Sequence, residues 1–386
     1  MLVEIHMLQN HAPCNLNRDD TGSPKDCMFG SVRRSRISSQ SIKRSIRTSP
    51  VFKEEMKNIP MGIRTRRLPE EVKKQLIRDG VDAKMADIAS QKVMELGKSK
   101  KKKKESDNDV KESDKEDTTQ IMFLTSNDIE TVAKVMKEVI ASAGTPEQFK
   151  KVEAGKIEDK LTGWRPITPD IAMFGRMVTS DAFENIDASM QVAHAISTNK
   201  MDHEFDYFTA VDDLKKKGED DAGAGMIGDV QFNSACYYKY FSLDIGGLIN
   251  NLCGPDHNEK TLKEARDVAL TTLRAFIIAA LKTTPSGKQN TFAAHQLPDA
   301  VLIEVRKKKV PVSYANAFVK PDVPGAKKDL IEDSIEKLAR YAEVINSKYE
   351  LESSPRLWFT TGNATIKGTE TCNTETELIN KLLAAL

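Results

Sequence analysis

Over the first eight residues apolar and polar side chains alternate, with Val3, Ile5 and Met7 set against Glu4 and His6. A period of two is that of a strand, so the pattern predicts one over 2–8. A polar loop follows from 10 to 26, with Pro13, Asn15, Asn17, Gly22 and Pro24, and it delivers Arg18 and Lys25. The period then changes. With Ser38 as N-cap, Ile37 and Ile42 take the N′ and N4 positions of a hydrophobic staple, and a helix is predicted from there. At about 100° per residue, Gln40, Lys43, Arg44 and Arg47 fall within an arc of roughly 100°, and Ile42 and Ile46 lie opposite. Thr48, Ser49 and Pro50 end the helix, because proline lacks an amide and restricts its predecessor.

From 51 to about 164 the text is helical and charged. Pro69-Glu70-Glu71 reads as a helix start, Asn127 with Glu130 as a capping box, and Gly144 as a stop before Thr145-Pro146 opens another helix. Strand-like runs resume at 170–178 and 188–198. After an interruption at 199–228 comes a strand at 231–242. A helix over 259–281 follows, with an apolar face through Leu262, Ala269, Leu273, Phe276 and Leu281. Then come a core strand at 301–305 and helices near 326–348 and 374–385. Without its insertions the order is β-α-β-β-(β)-α-β, an α+β pattern compatible with a ferredoxin-like or RNA-recognition-type sheet.

Charge sharpens the picture at one place. The chain has 386 residues and a formal charge of only +1, yet the run from Arg33 to Arg47 holds six cations, and no acid stands between Asp26 and Glu54. A polyanion partner must therefore be held by a local patch, since bulk attraction is absent. The free amides of Ser39 and Gln40 at the helix start add a phosphate-attracting end. A solvated basic face is the plain alternative. At 98–117 eight lysines and seven acids surround a single apolar residue, Val110. Such a segment buries too little to offset its ordering entropy and is expected to be a mobile loop.

Other chemistry is mostly excluded. The longest apolar run, 275–281, is too short for a bilayer and the first residues lack a leader pattern, so a cytoplasmic protein with no membrane partner is expected. Five scattered cysteines without Cys-x-x-Cys spacing argue against a disulfide framework or a zinc site. Gly223-Ala224-Gly225-Met226-Ile227-Gly228 fits the dinucleotide regex, but acids precede it where a strand is required and a strand follows where a helix is required. Six histidines form no ligand pair, and His194, in an apolar strand, is expected to be a core histidine. Asp19, Asp20 and Asp26 can support RNA cleavage or hold a metal; as salt-bridge partners they instead orient the neighbouring cations. Phe205, Tyr207 and Phe208 stand among acids in 199–228, and either fold onto the core or form a protruding hairpin.

Asn17-Arg18-Asp19-Asp20, Lys25-Asp26, Arg33-Arg34, Arg36-Ile37-Ser38-Ser39-Gln40-Ser41 and Lys43-Arg44 together closely resemble one known signature. It is that of the CasC-type CRISPR-RNA-binding backbone subunit of the type I-E CRISPR Cascade complex. Gly175-Arg176-Met177, Ala193-His194-Ala195-Ile196, Phe208-Thr209-Ala210-Val211-Asp212-Asp213-Leu214 and Lys288-Gln289 with Thr291-Phe292-Ala293-Ala294 match in the same order, up to about Phe318. The 98–117 insertion departs from the pattern, and nothing after Phe318 is specific.

The resemblance implies a right hand: an RNA-recognition-type palm (1–50, 166–198 and 229–386), helical fingers (51–165) and a thumb (199–228). Copies would stack along CRISPR RNA, each thumb displacing a base so that the guide pairs with target DNA in short segments. Other Cascade subunits and, indirectly, a helicase-nuclease are implied partners. By position, Arg18, Lys25, Ser38, Gln40, Lys43, Arg44, Arg47 and Lys288 would hold the RNA, Met177 would wedge against bases, and Phe208 and Thr209 would sit at the thumb's kink. No catalytic residue, cofactor or metal is expected. The rival expectation is a guide-dependent ribonuclease that cuts target RNA with a loop aspartate such as Asp20.

Overall fold

The computed structural model describes residues 1–96, 118, 120–178, 180, 182–210, 226–323 and 328–386. The charged run at 98–117 and the residues 211–225 lie outside them. The chain opens with β1 (Leu2–Cys14), β2 (Asp26–Phe29), β3 (Val32–Ile37), α1 (Ser39–Thr48) and α2 (Pro50–Glu55). It continues through β4 (Ile63–Thr65), α3 (Leu68–Arg78), α4 (Ala83–Glu95), β5 (Met122–Leu124), α5 (Ser126–Ala143), α6 (Pro146–Lys150), α7 (Ala154–Leu161) and α8 (Pro169–Phe174). Next are β6 (Met190–Val192), β7 (Ala195–Ser197), β8 (Glu204–Ala210), β9 (Met226–Asp244), α9 (Ile245–Cys253), α10 (Glu259–Lys282) and α11 (Gln289–Phe292). β10 (Ala300–Arg306), a short 3-10 helix (Ala315–Phe318), α12 (Leu330–Lys348), β11 (Arg356–Thr360), β12 (Glu370–Thr371) and α13 (Glu375–Ala384) complete it.

Two compact units result. The first comprises Met1–Glu55, Gln191–Asp244 and Leu273–Leu386; the second comprises Met56–Met190 and Ile245–Thr272. The first holds a mostly antiparallel sheet in the order β12-β11-β10-β1-β9-β7-β3-β2. Its four central strands, β10-β1-β9-β7, are antiparallel to their neighbours. That is the 4-1-3-2 order of a β-α-β-β-α-β path, here with α1 in the first crossover and α10 in the second. β1 outruns its predicted end because Gln9, Asn10 and His11 stay paired with Tyr237, Cys236 and Ala235 of β9. On one face Leu8, Tyr238, Leu302 and Trp358 pack with Ile335, Leu338 and Ala342 of α12. On the other, Phe241 meets Phe276 edge-on at 5.2 Å.

In the second unit α3 to α7 enclose a core built around Leu76, Val93, Val132, Met136, Phe149 and Ile157. Two expectations are corrected here. The stretch 170–178 is not a strand: Pro169 starts the helix α8, and Gly175, at φ +80°, ends it. Four apolar residues in a row carry no periodicity to separate the two states. The capping box of α5 is Thr125 with Asp128, whose carboxylate accepts the Thr125 amide, two residues before the predicted Asn127–Glu130 pair. Among the described residues no helix is long and apolar enough to cross a membrane.

Candidate nucleic-acid interface

The site starts from α1. Ser38 is its N-cap, with extended backbone and a hydroxyl that accepts the Ser41 amide. Ile37, Ile42 and Ile46 are buried, so the staple anchors the helix by one side. Gln40 and Arg44 are exposed and Lys43 and Arg47 half-exposed on the other. The loop before it is fastened to this helix start. The Asn17 side-chain oxygen accepts the Ser38 amide at 2.8 Å, and the Asn17 carbonyl accepts the Lys25 amide at 2.9 Å. The Lys25 carbonyl in turn accepts the Arg36 amide at 2.8 Å. One asparagine therefore joins the loop carrying Arg18 and Lys25 to the helix carrying Gln40, Lys43, Arg44 and Arg47. Arg18, Lys25 and Arg44 pair with no acidic side chain among the described residues.

Lys288 comes to the same loop by a close approach. A Cβ on Gly287 would collide with the carbonyl oxygens of Asn15 and Leu16, so only glycine lets this segment lie there. Gln289 fixes its far side, donating to Thr284 Oγ1 at 3.0 Å and to the carbonyls of Pro285 and Ala294 at 3.2 Å each. Phe292 stacks at a tilt on Phe232 of β9, 5.4 Å away.

Two of the three loop aspartates, Asp19 and Asp26, are engaged, and Asp20 is exposed. The Asp19 carboxylate accepts the Thr21 hydroxyl at 2.8 Å and the amides of Thr21 and Ser23 at 2.9 and 3.0 Å. These bonds, the Thr21 hydroxyl first, hold its pKa below the ordinary carboxylate value. Asp26 accepts Arg33 Nη1 at 2.6 Å. No group of three His, Cys, Asp or Glu residues suited to a metal forms among the described residues.

The sequence profile of the CT1975-like protein family matches residues 3–385. The chain belongs to this family. No curated protein matches. A solved chain of a "CRISPR RNA-guided surveillance complex, pre-nicking" is 30% identical over 100% of both chains, with a TM-score of 0.82. A second, from a "CRISPR RNA-guided surveillance complex", is 24% identical over 100% of both, with a TM-score of 0.71, and shares the fold. The Cascade backbone family read from the N-terminal signature is thereby borne out.

Within this family member, β8 and the start of β9 pair from Glu204↔Phe232 to Ala210↔Met226 as a two-stranded ladder. Phe205 and Tyr207 are 62% and 66% exposed and Phe208 36%, so these aromatics do not fold onto the core. Phe208 lies over its cross-strand partner Gly228, where a Cβ would come within 2.6 Å of the ring. That explains the last glycine of the dinucleotide-like motif, which sits in a strand. Thr209 faces Ile227, and both are exposed. Met177, 91% exposed, belongs to the second unit.

The basic run is only partly a surface. Arg34 is fully buried and donates to the carbonyls of Phe29, Ser197, Thr198, Phe318 and Val319. Burial pulls its pKa down, opposed by Asp322. Arg36 donates to the Asp26 carbonyl at 3.1 Å and meets His194 Nδ1 at 3.1 Å. His194 is thus no core histidine; it is exposed, between β6 and β7, and partial burial with Arg36 and Lys25 nearby lowers its pKa. The core histidines are His6 and His11, whose polar neighbours in β1 hid them. Sequence reading also passed over the clamp made by Asn17, although an asparagine before a helix start, able to accept a backbone amide, was the available signal.

Proposed function

We propose that this subunit of a CRISPR surveillance complex is its non-catalytic backbone. It holds CRISPR RNA by sugar and phosphate along Arg18, Lys25, Ser38, Gln40, Lys43, Arg44, Arg47 and Lys288. Copies assemble along the RNA, and the projecting hairpin with Phe208 and Thr209 interrupts the guide so that target DNA pairs in segments. Other Cascade subunits and the helicase-nuclease join the assembly so built. The observation that carries this reading is the Asn17 clamp, which makes one cationic surface of two separate segments. Phosphate and sugar contacts position a strand and carry no sequence information, which is what a holder of arbitrary guides requires. The amides of Ser39 and Gln40 add anion-attracting donors at the helix start. Asp19 and Asp26 are engaged in their own loop and with Arg33, which leaves the exposed Asp20 as the loop aspartate on which a nuclease reading would depend.

Purified protein titrated with RNAs of increasing length is expected to give complexes whose mass grows stepwise with length. Lys25→Ala with Arg44→Ala is expected to weaken binding equally for all sequences. It should also flatten the log–log salt slope by roughly 1.4, at about 0.7 per phosphate contact. Affinity and slope unchanged in this double variant would remove the site. Cleavage of complementary RNA by the assembled complex, lost on Asp20→Ala, would replace the scaffold by a ribonuclease.

A further inference from the structure

Met177 is the most exposed large apolar side chain among the described residues, yet its backbone is held from both sides. The Arg176 amide donates to the Ile186 carbonyl at 2.9 Å and the Ile186 amide to the Arg176 carbonyl at 2.8 Å. The Val178 amide donates to Asn185 Oδ1 at 2.6 Å. Before it, Gly175 adopts φ +80°, and a Cβ there would stand 2.9 Å from the Ile186 carbonyl oxygen. Beneath it, Arg176 is buried: its Nε donates to the Glu184 carbonyl at 2.9 Å and its Nη1 to Asp128 Oδ2 at 2.9 Å. Asp128, 1% exposed, also binds Arg165 Nε at 2.9 Å through Oδ1 and closes the capping box of α5.

We infer that Arg176, Asp128 and Asn185 are positioning residues that fix the backbone from which Met177 is presented as an apolar contact for nucleobases. The inference rests on the base-contacting role that the resemblance implies for Met177, and deepens it by naming the residues that hold its backbone. An exposed methionine on a mobile loop would lose backbone as well as side-chain freedom on binding; on a braced turn the backbone share is already lost. Methionine supplies an unbranched, polarizable surface that adapts to any base. Aiming that surface is left to the buried guanidinium, whose rigid fork is locked by Asp128 on one side and the Glu184 carbonyl on another.

The test uses the complete guide-bound complex, with 2-aminopurine walked through the guide RNA as a stacking probe. Met177→Ala locates the guide position whose fluorescence depends on this side chain, and Phe208→Ala locates the thumb-dependent position as an internal control. Arg176→Gln and Asn185→Ala are expected to move the Met177-dependent signal toward the Met177→Ala level and to leave the Phe208-dependent signal unchanged. Asn185 is exposed, so its variant tests the brace even where Arg176→Gln does not fold. If Met177→Ala changes no position, the reading of Met177 fails and the inference with it. If Met177→Ala changes one but Asn185→Ala and any folded Arg176→Gln protein do not, the positioning role alone is overturned. Equal changes at both probe positions likewise reduce these residues to a general structural role.

Discussion

Arg33, Arg34 and Arg36 stand side by side in the sequence and do three different things. Arg33 pairs with Asp26 at the surface, Arg36 bridges to the Asp26 carbonyl and His194, and Arg34 is a buried fork gathering carbonyls from β7 and from the end of the 3-10 segment. Strand alternation sets Arg33 apart from the other two, while Arg34 and Arg36 share a face of β3 and differ in what covers it: the carbonyls of Ser197 and Phe318 enclose Arg34, and the half-buried Arg36 meets the Asp26 carbonyl and the exposed His194. Arg34→Met leaves several buried carbonyls without a donor, and each unsatisfied group costs about 1–3 kcal/mol. We therefore expect it to destabilise the chain by about 3 kcal/mol or more in denaturant unfolding, with a lower midpoint. Arg44→Ala, at an exposed helix position, should stay within about 0.5 kcal/mol of the parent and show its effect in RNA affinity instead. Swapped outcomes, with Arg44 needed for stability and Arg34 only for RNA, would reverse this assignment.

At the scale of elements, α1 was legible in full: its cap, its staple, its polar arc and its stop at Ser49 all follow from local rules that the fold does not override. The starts of α3 and α6 and the spans of α10, α12 and α13 were legible for the same reason. β3 was not, since Val-Arg-Arg-Ser-Arg-Ile has no apolar alternation and its buried position is filled by an arginine whose partners come from distant chain segments. α8 was misread because a short apolar run fits helix and strand equally. β11 was passed over. The loop from 15 to 25 was expected to lie near the helix, but its register depended on Asn17, which no periodicity reveals. This makes Asn17 the element-level test. Asn17→Ala removes no charge but frees the Ser38 amide and the loop, so RNA affinity should fall although every cation remains. Ser38→Ala removes the cap together with the hydroxyl proposed to touch RNA, at a cost of about 1 kcal/mol in stability, and leaves the Asn17 bond to the Ser38 amide in place. A full-affinity Asn17→Ala protein would show that loop and helix bind independently.

For the whole molecule, the sheet of the first unit places two histidines where neither can ionise. His6 shares a hydrogen bond of 2.8 Å with Tyr238 and stacks on Tyr314 at 4.3 Å, and His11 lies 3.3 Å from Gln296. Burial pushes each pKa down to about 3 from 6.5. In the unfolded chain both titrate normally, so on acidification the unfolded state takes up protons that the folded state refuses. The stability they protect is fully present above pH 6.5 and is lost as pH falls toward 3, by about 1.4 kcal/mol per pH unit for each histidine. Glu304 adds to the trend: burial raises its pKa, but the Arg306 and Arg356 charges and the Tyr314 hydroxyl oppose that and it is held low, while Glu4, raised chiefly by burial, works against it. We expect unfolding free energies measured by denaturant between pH 7 and pH 4 to fall steeply, and less steeply by about one proton in His11→Asn. Both histidines lie in β1, the strand that leads into the Arg18 loop, so acid should release RNA and unfold this unit together. A flat profile, or one unaltered by His11→Asn, would mean that His11 is protonated without cost in the folded chain.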